Sequence, residues 1–243
     1  MQDFRYALRL LRRSPGFTIA AVLVLALGIG ANTAIFSVVD AAILRPLPFP
    51  DSEALVMLWE APPGYRYNRV SPLNFLDWHD QNSVFSGLAA VSGGARTMPT
   101  QGGAERIPGQ SVTSEFFSTL RVRPIAGRTF NEDDVRARAA VVVLSERMWR
   151  NRFGADVSLI GRPIPLDGRP FTVIGVVPAD FEILYPADQW TLFIPRRSPE
   201  QRRMHYLQVI GRLKPGITPA QANAAMSAIG LRIAEISPAT NKG

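Results

Sequence analysis

The residues of this chain best suited to chemistry are a histidine flanked by carboxylates and a run of adjacent acids. His79 stands between Asp77 and Asp80, and a histidine beside a carboxylate can bind a metal ion or move a proton. The same pattern is more typical of the solvated face of a helix. The other histidine, His205, is far from the i, i+4 spacing of helical metal sites. We therefore predict that His79 is a surface residue.

Residues Glu132, Asp133 and Asp134 form the acidic run. Three consecutive carboxylates could bind a cation, but acids are also favoured in the first turn of a helix, where they face the positive end of its dipole. We interpret the run as a solvated helix start and predict no metal site and no cofactor.

The other common catalytic patterns do not occur in this sequence. Lys214 and Lys242 are the only lysines, and neither follows a glycine-rich phosphate loop, so we expect no ATP site in this chain. It contains no Gly-x-Ser-x-Gly motif, and the absence of cysteine excludes disulfides, thiol nucleophiles and cysteine-ligated metals. The sequence therefore predicts a protein that is not an enzyme.

The chain carries 25 arginines and a formal net charge of +7. The arginines are interleaved with acids, and no basic stripe with stacking aromatic residues occurs, so we do not expect a nucleic acid partner.

Residues 14–39 contain no charged side chain. As a helix this run would extend about 39 Å, more than the roughly 30 Å hydrocarbon core of a bilayer. We predict a transmembrane helix over residues 17–39. A cleaved signal peptide is the alternative, but the apolar run continues eight residues beyond Ala31, which favours a retained anchor.

Four arginines precede this span, with Asp3 as the only acid among them. The positive-inside rule then places the N-terminus in the cytoplasm and residues 40–243 outside the inner membrane. Residues 1–16 are predicted to contact membrane lipid, either as a short amphipathic helix or as a plain basic flank. The arginines of this membrane-surface segment are Arg5, Arg9, Arg12 and Arg13.

Within the span, Ala26, Gly30 and Ala34 recur every four residues. Small residues at this spacing allow a second helix to approach closely, although glycine and alanine are common in membrane helices in any case. A packing face here would require partner helices from outside this sequence.

The rest of the chain is predicted to be an α+β domain because short strands and short helices alternate without regular βαβ repetition. We place a proline-rich connector at 40–54, the domain at 55–237 and a tail at 238–243. Capping signals predict helices that begin after Ser71, Ser114, Ser145 and Thr218. The last helix has an apolar stripe of Ala222, Met226, Ile229, Ile233 and Ile236. Strands are predicted at 55–59, 85–91, 106–112, 139–144, 163–166, 171–177, 191–194 and 206–213, with an Asp167-Gly168 turn joining the fifth and sixth.

Several stretches resemble one protein family in order along nearly the whole chain. The family is the MacB-like periplasmic core domain together with the first membrane helix of FtsX-like ABC transporter permeases, and the chain is most similar to the duplicated orphan permeases of acidobacteria. The similar stretches are DFRYALRLLRRSPGFT (3–18), ALGIGANTAIFS (26–37), LRPLPF (44–49), LSERMWRNRFG (144–154), FTVIGVVPADF (171–181) and RLKPGITPAQA (212–222).

This resemblance implies a two-lobed extracytoplasmic domain with a mechanical role in export. One lobe would combine residues 55–60 with 206–236, and the other would be inserted at about 85–195. The implied partners are the remaining membrane helices of the permease, a separate ABC ATPase subunit, a periplasmic adaptor protein and a second copy of the full-length permease. Since the sequence stops at Gly243, where three further helices would follow, we expect a fragment of a permease. A membrane-anchored binding or scaffold module without transport activity is the alternative.

Overall fold

The computed structural model describes residues 16, 23, 25–27, 29, 50–61, 67–100, 102–179 and 181–238. The chain divides into two compact units, residues 1–47 and 48–243. The residues described in the first unit are helical, and their large apolar side chains are exposed. No helix formed by the described residues is long and apolar enough to cross a membrane.

The predicted span at 17–39 and the four N-terminal arginines lie largely or wholly outside the described residues, as do Gly30 and Ala34. Ala26 is described and is helical and exposed. The anchor, the packing face and the domain boundaries therefore stay predictions.

The second unit is built on one mixed sheet, which contains nine strands among the described residues. The strand order is β1-β11-β2-β5-β10-β7-β9-β6, and β8 pairs along the free part of β9. The pairs β5–β10 and β7–β9 are parallel, and the other pairs are antiparallel. Strands β3 and β4 form a separate hairpin. The strands are β1 (Leu55–Leu58), β2 (Phe85–Gly93), β3 (Arg96–Thr100), β4 (Gly103–Ile107), β5 (Gly109–Val112), β6 (Ala126–Gly127), β7 (Val141–Ser145), β8 (Pro163–Leu166), β9 (Arg169–Val177), β10 (Gln189–Leu192) and β11 (Gln208–Leu213).

The described residues of the second unit form five α-helices between or after these strands, and most of them begin at a side-chain cap. Ser71, Ser145 and Thr218 each accept a hydrogen bond from a backbone N–H in the first turn, as predicted. Three short 3₁₀ helices occupy Ser52–Ala54, Val157–Leu159 and Pro199–Arg203. The α-helices are α1 (Pro72–Gln81), α2 (Phe116–Leu120), α3 (Glu132–Ala137), α4 (Glu146–Phe153) and α5 (Pro219–Ile236).

Three predictions about these elements are wrong. Ser114 does not cap α2, because its hydroxyl instead donates to Glu132 Oε1 at 3.1 Å. The strand expected at 106–112 is divided at Pro108, which has no N–H for a ladder hydrogen bond. Ile236 at the end of α5 is exposed, so the buried stripe of that helix ends at Ile233.

Alternate residues of the central strands face different hydrophobic cores. On one face of the sheet, Ile210 and Val143 belong to a single core that extends from β11 to β9 and contains α2; we call it the shared core. On the opposite face, Val209 packs with α1 and α5, whereas Val142 packs with α4 and β8. We call these the α1–α5 core and the α4 core.

Polar side chains lie between the α1–α5 core and the α4 core. In the middle strands, the hydroxyls of Ser111 (β5) and Thr191 (β10) are 3.2 Å apart, and Gln189 Nε2 donates to the carbonyl of Gly94 at 2.6 Å. These residues alternate with Gln110, Val112 and Trp190 of the shared core face. The sheet is therefore continuous, while one of its two faces carries two separate apolar clusters.

The mixed α+β character predicted from the sequence is confirmed. Strand β1 pairs with β11, so segments from both ends of the unit meet in the sheet, and residues 85–192 supply the remaining strands. A division into two lobes stays a prediction, since β2 and β5 join the two groups of strands without a break.

Candidate functional site

The two segments that bound the second unit meet at one end of the β1–β11 pair. Leu55 pairs with Arg212, so Asp51, just before β1, lies close to the point where β11 leads into α5. A site at this point contacts both the segment that leads into the second unit and the segment that leads from β11 into the last helix.

A buried arginine joins three segments at this point. Arg212 is 3% exposed, its Nε donates to the carbonyl oxygen of Thr119 in α2 at 2.6 Å, and its Nη1 donates to that of Asp51 at 2.8 Å. The side chain of Asp51 forms an ion pair with Arg121, which follows α2. We call Asp51, Thr119, Arg121 and Arg212 the Arg212 cluster.

The environment of Arg212 is unusual for a buried cation. Burial lowers the pKa of its guanidinium, and the charge of Arg121 acts in the same direction while Glu53 opposes it. Its buried Nη2 has no hydrogen-bond partner within the described residues. A buried charge is costly unless its donors find acceptors. The backbone carbonyls of Asp51 and Thr119 are the acceptors for this guanidinium, and they hold the side chain in place.

Two glycines near this cluster allow neighbouring elements to pack closely. A Cβ atom on Gly211 would lie 2.8 Å from Cδ1 of Phe85 and 2.9 Å from Cδ1 of Leu58, and a Cβ atom on Gly87 would lie 2.7 Å from Oγ1 of Thr119. Real Cβ atoms essentially never come that close to other atoms. The contact between β2 and α2 therefore depends on the absence of a side chain at Gly87. The packing of β11 against Phe85 and Leu58 of the α1–α5 core depends on its absence at Gly211.

A second polar network lies at the opposite end of β1. Glu60 Oε1 accepts hydrogen bonds from the backbone N–H of Ser71 and from Nδ2 of Asn74, both at 2.8 Å. Its Oε2 lies 2.8 Å from Nδ1 of His205. A single carboxylate thus connects the end of β1, the start of α1 and the residues that lead into β11.

Arginines following β10 extend this network along α1. Arg202 donates to Oδ1 of Asn74 at 2.5 Å and lies 2.8 Å from Oδ2 of Asp77. Arg197 forms ion pairs with Asp77 and Asp80. Both carboxylates near His79, Asp77 and Asp80, are therefore paired with arginine.

His79 lies at the surface, as predicted, but it has a partner that the sequence did not reveal. Its Nε2 is 3.3 Å from Oε1 of Glu115, with both side chains about 40% exposed. The hydrogen bond to Glu115 raises the pKa of His79 while partial burial opposes the shift, and the same bond lowers the pKa of Glu115. The pair connects α1 to the start of α2.

The acidic run differs from its prediction at one residue. Asp133 and Glu132 are exposed, but Asp134 is 5% exposed and accepts from Nη1 and Nη2 of Arg128 at 2.6 and 2.8 Å. Asn131 caps α3 and exchanges hydrogen bonds with Asp134. These bonds to Arg128 lower the pKa of Asp134 despite its burial. In the parts of the chain that are described, no group of three or more histidine, cysteine or acidic residues is arranged to bind a metal.

Arg212 has only a weak signal in the sequence. It is the one charge within the mainly apolar run 207–213, and a charge in such a run needs a partner inside the domain. Its partners are backbone carbonyls from distant segments, and no side-chain pattern predicts those.

A family model described as the MacB-like periplasmic core domain matches residues 18–229. One curated relative is the macrolide export ATP-binding/permease protein MacB of Burkholderia thailandensis, which is 27% identical over 124 residues. That match covers 50% of this chain and 19% of the relative, so it spans less than a fifth of the length of that protein.

Two solved structures share the fold. The periplasmic region of MacB from Actinobacillus actinomycetemcomitans is 14% identical with a TM-score of 0.52, covering 77% of this chain and 85% of that one. The extracellular domain of the ABC-type transporter YknZ from Gram-positive bacteria is 15% identical with a TM-score of 0.55, covering 76% of this chain and 95% of that one.

Proposed function

The chain belongs to the family of MacB-like periplasmic core domains, which are components of transporters rather than enzymes. From this membership we propose that the chain is the extracytoplasmic part of an ABC transporter permease and that it transmits ATP-driven motion. Its energy would come from an ABC ATPase, which in this proposal is a separate subunit. The requirement for an ATPase is supported by the curated relatives, which are ATP-binding/permease proteins. The function is export or mechanotransmission.

The proposed arrangement in the membrane follows from the sequence. Residues 17–39 cross the inner membrane, the basic segment 1–16 faces the cytoplasm and its lipid surface, and the second unit lies in the periplasm. Ala26, Gly30 and Ala34 provide the face that packs against the other permease helices. A periplasmic adaptor and a second permease copy complete the proposed assembly.

The Arg212 cluster is the observation that supports a mechanical role. Asp51 follows the N-terminal segment and Arg212 precedes α5, so a displacement of either segment acts on the same buried guanidinium. Because Arg212 also donates to Thr119 of α2, the displacement reaches the shared core through that helix. The junction between β2 and α2 is tightly packed because Gly87 has no side chain, so it transmits strain instead of absorbing it.

The membrane arrangement can be tested directly because the chain contains no cysteine. Single cysteines at Gln2 and at the exposed Arg123 would be introduced separately into the full chain expressed in a Gram-negative host. A membrane-impermeant maleimide applied to spheroplasts should label Arg123→Cys at once and Gln2→Cys only after permeabilisation. Labelling of both positions in intact spheroplasts would contradict the proposed orientation.

The mechanical role needs the complete permease. The full-length permease and its ABC ATPase would be reconstituted in vesicles, and ATP hydrolysis would be measured for Arg212→Met and for the matched surface variant Arg123→Met. Methionine fills a similar volume without the three-segment contact, so Arg212→Met should uncouple hydrolysis from export while Arg123→Met behaves like the parent. A folded Arg212→Met protein with full coupling would rule out this role for the cluster.

A further inference from the structure

A cleft of about 680 Å³ opens in the second unit, away from the Arg212 cluster. It lies where the start of β3, the segment after α3, the β8–β9 turn and the end of β10 come together. Its volume is in the range of small-molecule sites, about 300–1,000 Å³. The cleft is lined by Arg96, Arg138, Ala139, Ala140, Leu166, Asp167, Arg169, Phe171, Leu192, Ile194 and Arg196.

The charges around this cleft do not balance. Four arginines line it, and Asp167 is the one acid among the lining residues. Asp167 Oδ2 is already paired with Nη1 of Arg96 at 2.9 Å. For Arg138, Arg169 and Arg196, no ion pair or side-chain hydrogen bond is found within the described residues. Three guanidinium groups therefore border the same space with their donors unused by protein.

Arg96 is held in the wall of the cleft. Its Nη2 donates to Oγ1 of Thr191 at 3.2 Å, and its guanidinium carbon lies 5.5 Å from the ring centroid of Phe171. Its Nε is buried and has no partner among the described residues. Asp167 balances the charge of this fixed guanidinium, so the excess positive charge of the cleft comes from the other three arginines.

The remaining lining is apolar. Leu166 is fully buried, Phe171, Leu192 and Ile194 are partly buried, and Ala139 and Ala140 add small side chains. A small inorganic anion would satisfy the arginines but leave this apolar surface in contact with water. An anion that also carries an apolar group would satisfy both parts.

We propose that this cleft binds an amphiphilic anion, a molecule in which one phosphate or carboxylate group is attached to an alkyl chain. The head group is bound by Arg138, Arg169 and Arg196, and the chain contacts the partly buried side chains of Phe171, Leu192 and Ile194. The proposal concerns binding alone and does not depend on the transport role.

The test uses the full 243-residue chain in discs of neutral phosphatidylcholine, titrated with hexyl phosphate by calorimetry. Inorganic phosphate and hexanol report on the head and the chain separately, and each should bind at least about tenfold more weakly than hexyl phosphate, because each makes only part of the contacts. Equal binding of hexanol, or of inorganic phosphate, would overturn the proposal.

Three single variants, Arg138→Gln, Arg169→Gln and Arg196→Gln, should each weaken binding about threefold, as expected for partly exposed ion pairs. The triple variant should weaken it about thirtyfold if the contributions add. Arg123→Gln, an exposed arginine outside the cleft, is the matched control and should bind like the parent. Thermal melts establish that each variant is folded. A folded triple variant that binds as the parent does would overturn the proposal.

A fourth substitution, at the acid of the cleft, should strengthen the binding of hexyl phosphate instead of weakening it. Asp167→Asn keeps an oxygen that accepts from the N–H of Thr97, a bond now 2.8 Å long, but removes the negative charge, so hexyl phosphate should bind more tightly. Weaker binding by the folded variant would contradict the charge argument.

Adding phosphatidylglycerol to the discs distinguishes the source of the anion. If phosphatidylglycerol competes with hexyl phosphate, the natural ligand is a bilayer lipid. If the binding of hexyl phosphate is undiminished, the natural ligand is a soluble amphiphile. Either result supports the proposed chemistry.

Discussion

The two ends of the sheet use arginine in opposite ways. At the β1–β11–β2 end, Arg212 is buried and donates to backbone carbonyls of two distant segments. At the β7–β9 end, Arg138 and Arg169 are exposed beside an open cleft, without a protein partner in the described part of the chain. Burial directs Nε and Nη1 of Arg212 to acceptors within the fold, whereas donors at the surface stay available to a ligand.

The hydrophobic cores at these two ends of the sheet differ in the parts of the chain that build them. The α1–α5 core contains residues from both termini of the second unit, such as Leu58 and Ile229, and adjoins the Arg212 cluster. The α4 core is made only of segments from the middle of the unit, such as those of Met98, Trp149 and Val173. We therefore expect the first end to be sensitive to volume and burial, and the second end to be sensitive to charge.

The largest effect should come from Ile229→Asp in the α1–α5 core. Ile229 is 3% exposed, and burying an unpaired carboxylate should destabilise the domain by about 3–5 kcal/mol, a large part of a typical stability. Ile236→Asp on the same helix, at a residue 79% exposed, should change stability by less than about 0.5 kcal/mol. Denaturant unfolding of the two variants measures both, and equal stabilities would mean that α5 does not pack as described.

A smaller loss is expected when volume is added next to Arg212, on the face of β11 that packs on the α1–α5 core. Gly211→Ala forces a Cβ atom against Phe85 and Leu58 and should cost about 1–3 kcal/mol through overpacking. Gly230→Ala in α5, where no atom lies within 4 Å of the new Cβ, should instead stabilise by about 0.5–1 kcal/mol through helix propensity. If the two variants shifted the melting temperature in the same direction, Gly211 and Gly230 would not differ in packing as described.

At the second end, the charge of Asp134 should matter and its volume should not. Asp134→Asn keeps the shape of the residue but weakens the contact with Arg128, at a cost of about 1–3 kcal/mol at neutral pH. Asp133→Asn, an exposed neighbour paired with Arg136, is the control and should cost less than about 0.5 kcal/mol.

The pH dependence of the Asp134 contribution follows from its lowered folded-state pKa. The contribution is fully present above the unfolded pKa, about 3.9, and is lost as pH falls through the folded pKa. The difference in unfolding free energy between parent and Asp134→Asn should therefore shrink in acid. A difference that stays constant down to pH 2 would contradict this account.

The smallest effect is expected for the surface pair of His79 and Glu115. His79→Ala should cost a few tenths of a kcal/mol, since both side chains are well exposed. The folded pKa of His79 is raised, so its contribution is complete below about pH 6.5 and is lost as pH rises through the folded value. Adding Glu115→Gln to His79→Ala should cause little further loss at pH 6, and a fully additive double variant would show that the pair does not interact.

Local signals in the sequence were sufficient for most elements of the second unit. Ser71 and Thr218 predicted the starts of α1 and α5 because an N-cap needs only residues within one turn. The Asp167-Gly168 turn was predicted for the same reason, and the structure gives both residues positive φ values of 51° and 72°, as a type I′ turn requires. These interactions span three or four residues, so the sequence pattern contains them completely.

Interactions between distant segments were not predictable in this way. The partners of Arg212 are carbonyls of Asp51 and Thr119, and any residue type could supply a carbonyl. The cleft likewise requires four segments, and nothing near Arg138 in sequence indicates that Arg196 borders the same space. Only the family resemblance suggested that β1 would meet β11, because strand pairing across 150 residues leaves no local periodic signal.

That long-range pairing has a consequence for biogenesis. Strand β1 is an edge strand whose neighbour in the described sheet is β11, and about 150 residues separate the two along the chain. At about 5–20 residues per second, synthesis leaves an apolar edge of four residues waiting roughly 10–30 s for its partner. The strand that leaves the ribosome first among those of the sheet therefore becomes paired last. Its brevity limits the time-dependent risk of association with other nascent chains, because four residues offer few backbone groups to a foreign strand.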